Sequence, residues 1–350
     1  MSRYILGSEE MFHDFVNSLS EKDKIGVITH IDLDGLASGI FLQKILESKG
    51  LKIDSIDFLE YNLDNLKIVL KNYFDVLFFT DWKADDYPEE LEEIRKKSKL
   101  LVFDHHPLNL KLKNTSNIIK TNYDYCSSHA LFDLAGSGKY FDTNGLKWLA
   151  CAAIIADYTW DKNPSNFDFI KFVYPEVKKD QSIWNSDPGM IGKKINSSLI
   201  YYAPDYKKIY NLILDRKIEQ FEAADKIINN EVRKWRKIFE GRAEYFPKAR
   251  LYFGYGTPKY NITSTIASIL SDETFREHTV IFASNLKNKN GFVKLSARDQ
   301  TGKVDLGGIF KKCSTEFENA DGGGHPRAAS AIIMKKDLEK FKEKLLAELK

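Results

Sequence analysis

Three short apolar runs near the start of the chain break directly into Asp or His, and this regularity constrains the fold more than any other feature. Ile25-Gly-Val-Ile-Thr29 runs into His30-Ile-Asp32-Leu-Asp34-Gly35. Val76-Leu-Phe-Phe-Thr80 is followed by Asp81, and Leu100-Leu-Val-Phe103 by Asp104-His105-His106. A fourth run, Ile53 to Leu59, lies between them, with helical patterns at Leu36 to Ser48 and Glu89 to Lys97. Short buried strands alternating with helices predict a mostly parallel sheet with helices on both faces. In such a sheet the carboxyl ends of the strands open on one crevice where ligands bind. Packing alone does not explain acid and imidazole at three strand ends.

Further along, Ser128 to Leu134 and Leu146 to Ala156 read as helices, the second ending at Asp157. From Tyr158 to Pro247 the strand signal fades, and Tyr206 to Phe239 has helical periodicity with few breakers. Val280 to Ser284 and Phe292 to Ala297 flank the polar stretch Asn285 to Gly291, which ends in Asn-Gly and predicts an antiparallel hairpin. Ala328 to Met334 reads as another strand and Lys336 to Leu349 as a closing helix. The expected class is therefore α/β, with a catalytic domain over 1–190, a helical connector over 191–247 and a smaller α+β domain over 248–350.

A chain of 350 residues that is 43% apolar suits two globular domains. No run approaches the roughly 18 apolar residues of a membrane span, and Glu9, Glu10 and Asp14 interrupt any signal-like start. Cys126, Cys151 and Cys313 are far apart without Cys-x-x-Cys spacing, so they read as reduced, buried thiols of a cytoplasmic protein. The net charge of +2 excludes a strong global field, so a nucleic-acid partner needs a local basic patch.

Taken singly, each polar residue has an ordinary explanation. Asp81 fits an N-cap or turn, His105 and His106 fit a surface, and His30-x-Asp32-x-Asp34 fits a polar turn before a helix. Those explanations do not predict a shared location, whereas a metal site does. Oxygen-rich donors with some imidazole and no thiolate suit Mn²⁺, or alternatively Mg²⁺. Two such ions about 3.5–4 Å apart, bridged by an Asp and a water, would supply a hydroxide and clamp a phosphoryl group. A second set lies downstream. Asp321-Gly322-Gly323-Gly324-His325-Pro326 reads as a Gly-rich turn whose N–H groups suit an anion, or as a plain hairpin turn. Ser296-Ala-Arg298 precedes it, and an arginine there suits either a bidentate phosphate contact or a surface ion pair.

In this order these motifs resemble the DHH phosphoesterase family with its DHH-associated C-terminal domain, matching at both ends of the chain. The resemblance implies that Asp32 and Asp34 ligate metal, that Asp81 bridges, and that His105 and Asp157 hold the second ion. It further implies that His106 contacts the scissile phosphate or protonates the leaving oxygen, with Asp104 orienting its neighbours. Ser296, Arg298 and the loop Gly322 to His325 would grip a second part of the substrate. Two departures stand out: His30 is two residues before Asp32 where several members have four, and Ser330 replaces a common glycine. His30 is thus either a ligand or a neighbour of one.

The His-x-Asp-x-Asp-Gly form resembles that of the RecJ-like branch, which implies an exonuclease on single-stranded DNA or RNA or short oligonucleotides, releasing mononucleotides. Other members imply two alternatives: a cyclic dinucleotide or adenosine bisphosphate phosphodiesterase, and a non-catalytic replication scaffold. The resemblance allows a homodimer, and no residue pattern demands one. Arg233-Lys-Trp-Arg-Lys237, with Trp235, Phe239, Tyr245 and Phe246, suits either a single strand stacked on aromatics or an amphipathic helix with its apolar side buried.

Overall fold

A computed structural model describes residues 3–287 and 289–349, which divide between two compact units, Met1–Asp225 and Lys226–Lys350. In the first unit the described residues form a six-stranded sheet: β1 (Tyr4–Leu6), β2 (Ile25–Thr29), β3 (Ile53–Phe58), β4 (Val76–Thr80), β5 (Lys99–Asp104) and β6 (Ile118–Thr121). The spatial order is β1-β6-β5-β4-β2-β3, parallel throughout except for the short β1.

Side chains alternate between the faces of a strand, and both faces here are covered. Ile25, Val27, Val76, Phe78, Leu101 and Phe103 enter one core, with Leu36, Ile40 and Phe41 of helix Leu33–Ser48 and Leu149 and Ala153 of helix Lys147–Ala156. Ile28, Leu77, Phe79, Leu100 and Val102 enter the other, with Leu66 and Val69 of helix Leu63–Val69 and Leu91 and Ile94 of helix Pro88–Arg95. The helices Asp187–Tyr202 and Tyr206–Leu214 add Ile195, Leu199, Ile209 and Tyr210 to the first core. Among the described residues no helix is long and apolar enough to cross a membrane.

The turn out of β2 depends on a glycine. Asp32 caps helix Leu33–Ser48 by accepting from the Gly35 N–H at 2.9 Å. The helix starts so close to the preceding strand that a Cβ on Gly35 would lie 2.3 Å from the His30 carbonyl oxygen. Gly35→Ala is expected to destabilise the protein by about 1–3 kcal/mol, as overpacking does, measured by urea unfolding. An unchanged midpoint would show that the turn relaxes freely.

The second unit has its own six-stranded sheet among the described residues: β7 (Glu244–Phe246), β8 (Leu251–Gly256), β9 (Thr279–Asn285), β10 (Phe292–Asp299), β11 (Asp321–His325) and β12 (Ala328–Met334). Its order is β11-β12-β10-β9-β8-β7, with β8 and β9 parallel and the rest antiparallel. The hairpin read from the Asn285–Gly291 stretch is β9 and β10. Leu295, Ala297, Ile281 and Ile333 pack beneath Leu306 and Phe310 of helix Leu306–Ser314 and Phe341 and Leu345 of helix Leu338–Glu348.

The basic and aromatic stretch belongs to helix Phe221–Arg242, and its aromatics do not present a stacking platform. Trp235 and Phe239 are buried and pack against Phe282. A Cβ on Gly254 would lie 2.4 Å from the Phe239 ring, and one on Gly256 2.3 Å from the Trp235 ring. Such glycines let two large rings lie directly on the sheet, so the amphipathic-helix reading holds for this pair. Tyr245 stays exposed and stacks on Tyr252, with ring centroids 4.5 Å apart.

Candidate metal centre

The ends of β2, β4 and β5 and of helix Lys147–Ala156 bring the acid and imidazole side chains together. His30 Nδ1 lies 2.8 Å from Asp32 Oδ2 and 3.9 Å from Asp81 Oδ2. His105 Nε2 lies 3.5 Å from Asp81 Oδ1 and 3.9 Å from Asp34 Oδ2, while its Nδ1 is 3.8 Å from Asp157 Oδ2. His106 Nδ1 is 3.9 Å from Asp81 Oδ1 and makes a 2.8 Å hydrogen bond with Asp104 Oδ1. The two oxygens of Asp81 thus face different partners, Oδ2 toward His30 and Oδ1 toward His105 and His106.

Backbone geometry aims these groups. Asp81 adopts the left-handed conformation (φ 51°), uncommon for a residue with a side chain, while its N–H donates to the Phe103 carbonyl at 2.9 Å. Asp34 is buried, and its carboxylate accepts from the N–H groups of Ser127 and Ser128 at 3.0 and 2.9 Å. Those donors belong to the first turn of helix Ser127–Ser137, whose dipole favours a negative charge there.

Donor atoms of His30, Asp32 and Asp81 all lie within 4.8 Å of one another, as do those of Asp81, His105 and His106, and those of Asp34, Cys126 and Asp157. Burial first, then the charges of Asp34 and Asp32, pushes the Asp81 carboxyl well above the ordinary range. Burial and the same two neighbours do so for Asp157. Asp81 Oδ2, His105 Nδ1 and Asp157 Oδ2 are inaccessible to solvent yet have no hydrogen-bond partner. Crowded carboxylates with unspent lone pairs are the environment a cation relieves, so the donor set fits divalent ions.

The opposite holds for two other acids. Burial works to raise Asp104, but His106 and Lys120 outweigh it and hold the carboxyl well below the usual range. Burial also opposes the ionised form of Asp32, and His30 together with the Gly35 N–H overcomes it. For His106 burial prevails over the pull of Asp104 and lowers the imidazole, favouring its neutral form.

Several residues of this centre escape sequence reasoning. Tyr61 stacks on the His30 ring (centroids 3.9 Å apart), donates to the Asp81 carbonyl at 3.1 Å and stands 3.5 Å from His106 Nε2. Lys120 is fully buried, 2.5 Å from Asp104 Oδ2 and 2.6 Å from Asp85 Oδ1. Ser127, Ser128 and Cys126 come from a segment with no strand end or motif to mark it.

The downstream set forms a row within the second unit. Ser296 and Arg298 alternate on β10, opposite Ser330 and Ala328, which in turn pair with Gly323 and His325. Ser296 is buried with its hydroxyl unpartnered. Arg298 donates through Nε to Ser268 Oγ at 3.0 Å and through Nη2 to Ser264 Oγ at 2.7 Å. The glycines lie in edge strand β11, not in a turn. A Cβ on Gly322 would lie 2.1 Å from Ser314 Oγ, and one on Gly307 2.4 Å from the Gly324 carbonyl, so the run lets helix Leu306–Ser314 sit on the strand. His325 is exposed at the strand end.

Comparison with known proteins identifies the family and the fold. A family model described as the DHH family, N-terminal domain, matches residues 24–166, and the DHHA1 domain matches 255–350. No curated protein matches the chain. The fold is similar to RecJ from Thermus thermophilus in complex with Mn²⁺ (TM-score 0.71, 14% identity, covering 97% of this chain and 54% of that one). The chain therefore spans about half the length of that RecJ. It is also similar to an exonuclease RecJ bound to manganese (0.69, 15%, 100% and 96%) and to CDC45 from Entamoeba histolytica (0.63, 13%, 97% and 98%). At such identities the likeness is one of fold.

Proposed function

The chain belongs to the DHH family and is RecJ-like in fold, and on that footing we propose that it is a two-metal phosphodiesterase that shortens single-stranded or short oligonucleotides from an end, releasing mononucleotides. The observation that carries this reading is the split environment of Asp81, whose buried carboxylate faces His30 with one oxygen and His105 and His106 with the other.

His30, Asp32 and Asp81 would hold one ion, and Asp34, Asp81, His105 and Asp157 the other. Divalent cations bound there, Mn²⁺ or Mg²⁺, would neutralise the carboxylates, activate a water and offset phosphoryl charge. The chain itself supplies orientation. Asp104 fixes the His106 ring through Nδ1, and Lys120 fixes Asp104 in turn; a substrate phosphate would favour the imidazolium, whose Nε2–H could then donate to a phosphate or leaving oxygen. Tyr61 supports both His30 and the backbone of Asp81, which limits drift of the two donors.

In the second unit Arg298, held by Ser264 and Ser268, with Ser296, Gly323 and His325 in register beside it, would grip a phosphate away from the reacting bond. Arg298→Ala is then expected to raise KM about tenfold with kcat little changed, because uniform binding is what a remote contact supplies. Loss confined to kcat would place Arg298 at the reacting centre.

The reading is tested by a Mn²⁺ time course on 5′-labelled DNA and RNA strands from dinucleotide upward, with a cyclic dinucleotide alongside. A shortening ladder supports the exonuclease reading, and the end label gives its direction. Cleavage confined to the cyclic compound would replace it with a nucleotide-signalling role. No cleavage and no bound Mn²⁺ would leave a non-catalytic chain.

A further inference from the structure

The metal centre and the Arg298 grip leave one built feature of the second unit unused, a stack of aromatic rings at the edge of its sheet. Tyr245 on the edge strand β7 stacks on Tyr252 of β8, with centroids 4.5 Å apart and planes tilted by 24°. Tyr252 stacks in turn on Phe275, at 4.1 Å and 26°. His278 meets both tyrosines edge-on, at 5.6 and 5.1 Å, and its Nε2 stands 3.5 Å from the Tyr245 hydroxyl. The stack is held from within, yet its outer member is 44% exposed. Arg242 and Lys248, three residues before and after Tyr245, are exposed and make no ion pair among the described residues. The nearby acids are engaged elsewhere. Glu244 alternates with Tyr245 to the other face of the sheet and pairs with Lys342 at 3.2 Å. Glu277 lies 3.8 Å from the Arg250 guanidinium, and Glu240 and Glu273 both pair with Arg236.

We propose that the exposed end of this stack, at Tyr245, is a base-stacking site for single-stranded nucleic acid, with Arg242 and Lys248 neutralising the strand's phosphates. This rests on the single-strand reading above and deepens it by adding a contact to bases, where the Arg298 set offers one to phosphate. An open ring face next to unpaired cations suits a single strand, whose bases stack on any aromatic while its backbone meets positive charge. Rings already fixed by their neighbours lose little freedom when a base joins them. Strand register relates this site to Arg298. Tyr245 pairs with Tyr252, Tyr252 with Val280, and Val280 with Arg298, in one row across adjacent strands. At about 4.8 Å per strand, the backbones of Tyr245 and Arg298 are about 14 Å apart. Ser264 and Ser268 lie on Arg298 and Phe275 on Tyr252, so the segment that carries them separates the two contacts. A strand of several nucleotides reaches both, and a dinucleotide reaches only one.

The test is binding of a fluorescein-labelled oligothymidylate of about 12 nucleotides to the full chain in EDTA, followed by anisotropy, beside Mn²⁺-dependent turnover of a dinucleotide. Tyr245→Ala is expected to weaken binding about tenfold, the scale of one stacked base, while Tyr245→Phe keeps the ring and binds as the wild type does. Dinucleotide turnover should be unchanged in both, which also reports an intact fold. A strand of the same length without bases should bind the wild type and Tyr245→Ala alike. Equal binding of oligothymidylate by the wild type and Tyr245→Ala would overturn the inference and leave the nuclease reading standing. So would a loss that the base-free strand shares, because the bases would then not be what Tyr245 recognises. Sedimentation of the same samples checks a different occupant: a dimer that Tyr245→Ala splits, with strand binding unaltered, would make the stack a contact between two copies of the chain. Failure of the wild type to bind any strand would remove the single-strand reading and this inference with it.

Discussion

Asp81→Asn is expected to lower oligonucleotide turnover by a factor on the order of 10⁴, the scale seen when one member of a catalytic unit is removed. Its fold should survive. The ionised Asp81 carboxyl is opposed by burial and by the charges of Asp34 and Asp32, so a neutral amide relieves repulsion in the metal-free chain. In EDTA the variant should therefore unfold at the same temperature as the wild type or a higher one. With Mn²⁺ the order reverses. An ion at 100 times its dissociation constant stabilises a folded protein by about 2.7 kcal/mol per site, and the variant should lose most of that gain. Thermal unfolding with and without Mn²⁺ measures both arms. A variant with wild-type turnover, or with an undiminished response to Mn²⁺, would show that Asp81 does not join two ions.

Why the centre was legible follows from where its residues fall. His30, Asp81 and Asp104 each follow a run of apolar residues short enough to be a buried strand, so composition and position mark them together. The parallel order of β2, β4 and β5 then brings these ends to one place. What the sequence hides is whatever reaches the centre from a different kind of segment. β1 has three residues, and β6 carries Lys120 and Thr121 inside the sheet, so neither shows an apolar run. Tyr61 acts through a ring stack, which has no spacing. The pairing of Asp34 with the Ser127 and Ser128 N–H groups joins positions more than ninety residues apart and uses backbone atoms, which leave no trace in residue identity. The glycine run at 322–324 suggests a turn because glycine serves turns and close approach alike. Only the position of Ser314 above it separates the two.

Lys120→Met is expected to destabilise the chain by about 3–5 kcal/mol, the loss typical of removing one partner from a buried ion pair. Lys120 is fully buried and lies between the carboxylates of Asp85 and Asp104, both inaccessible as well. A methionine fills much of the same volume, so the loss is one of charge: two carboxylates remain with no cation between them. Asp104 should suffer more than Asp85 in function, because its other oxygen holds His106. The Asp85 carboxylate keeps a hydrogen bond from the Asn109 backbone N–H, and the Asn109 side-chain amide donates to the Asp85 backbone carbonyl. Adding Asp85→Asn should therefore recover part of the stability, about 0.5–3 kcal/mol of coupling, without restoring turnover. Urea unfolding of the two single variants and the double variant closes the cycle. Additive losses would mean that Lys120 and Asp85 do not interact, and a stable Lys120→Met with full turnover would show that Asp104 orients His106 without it.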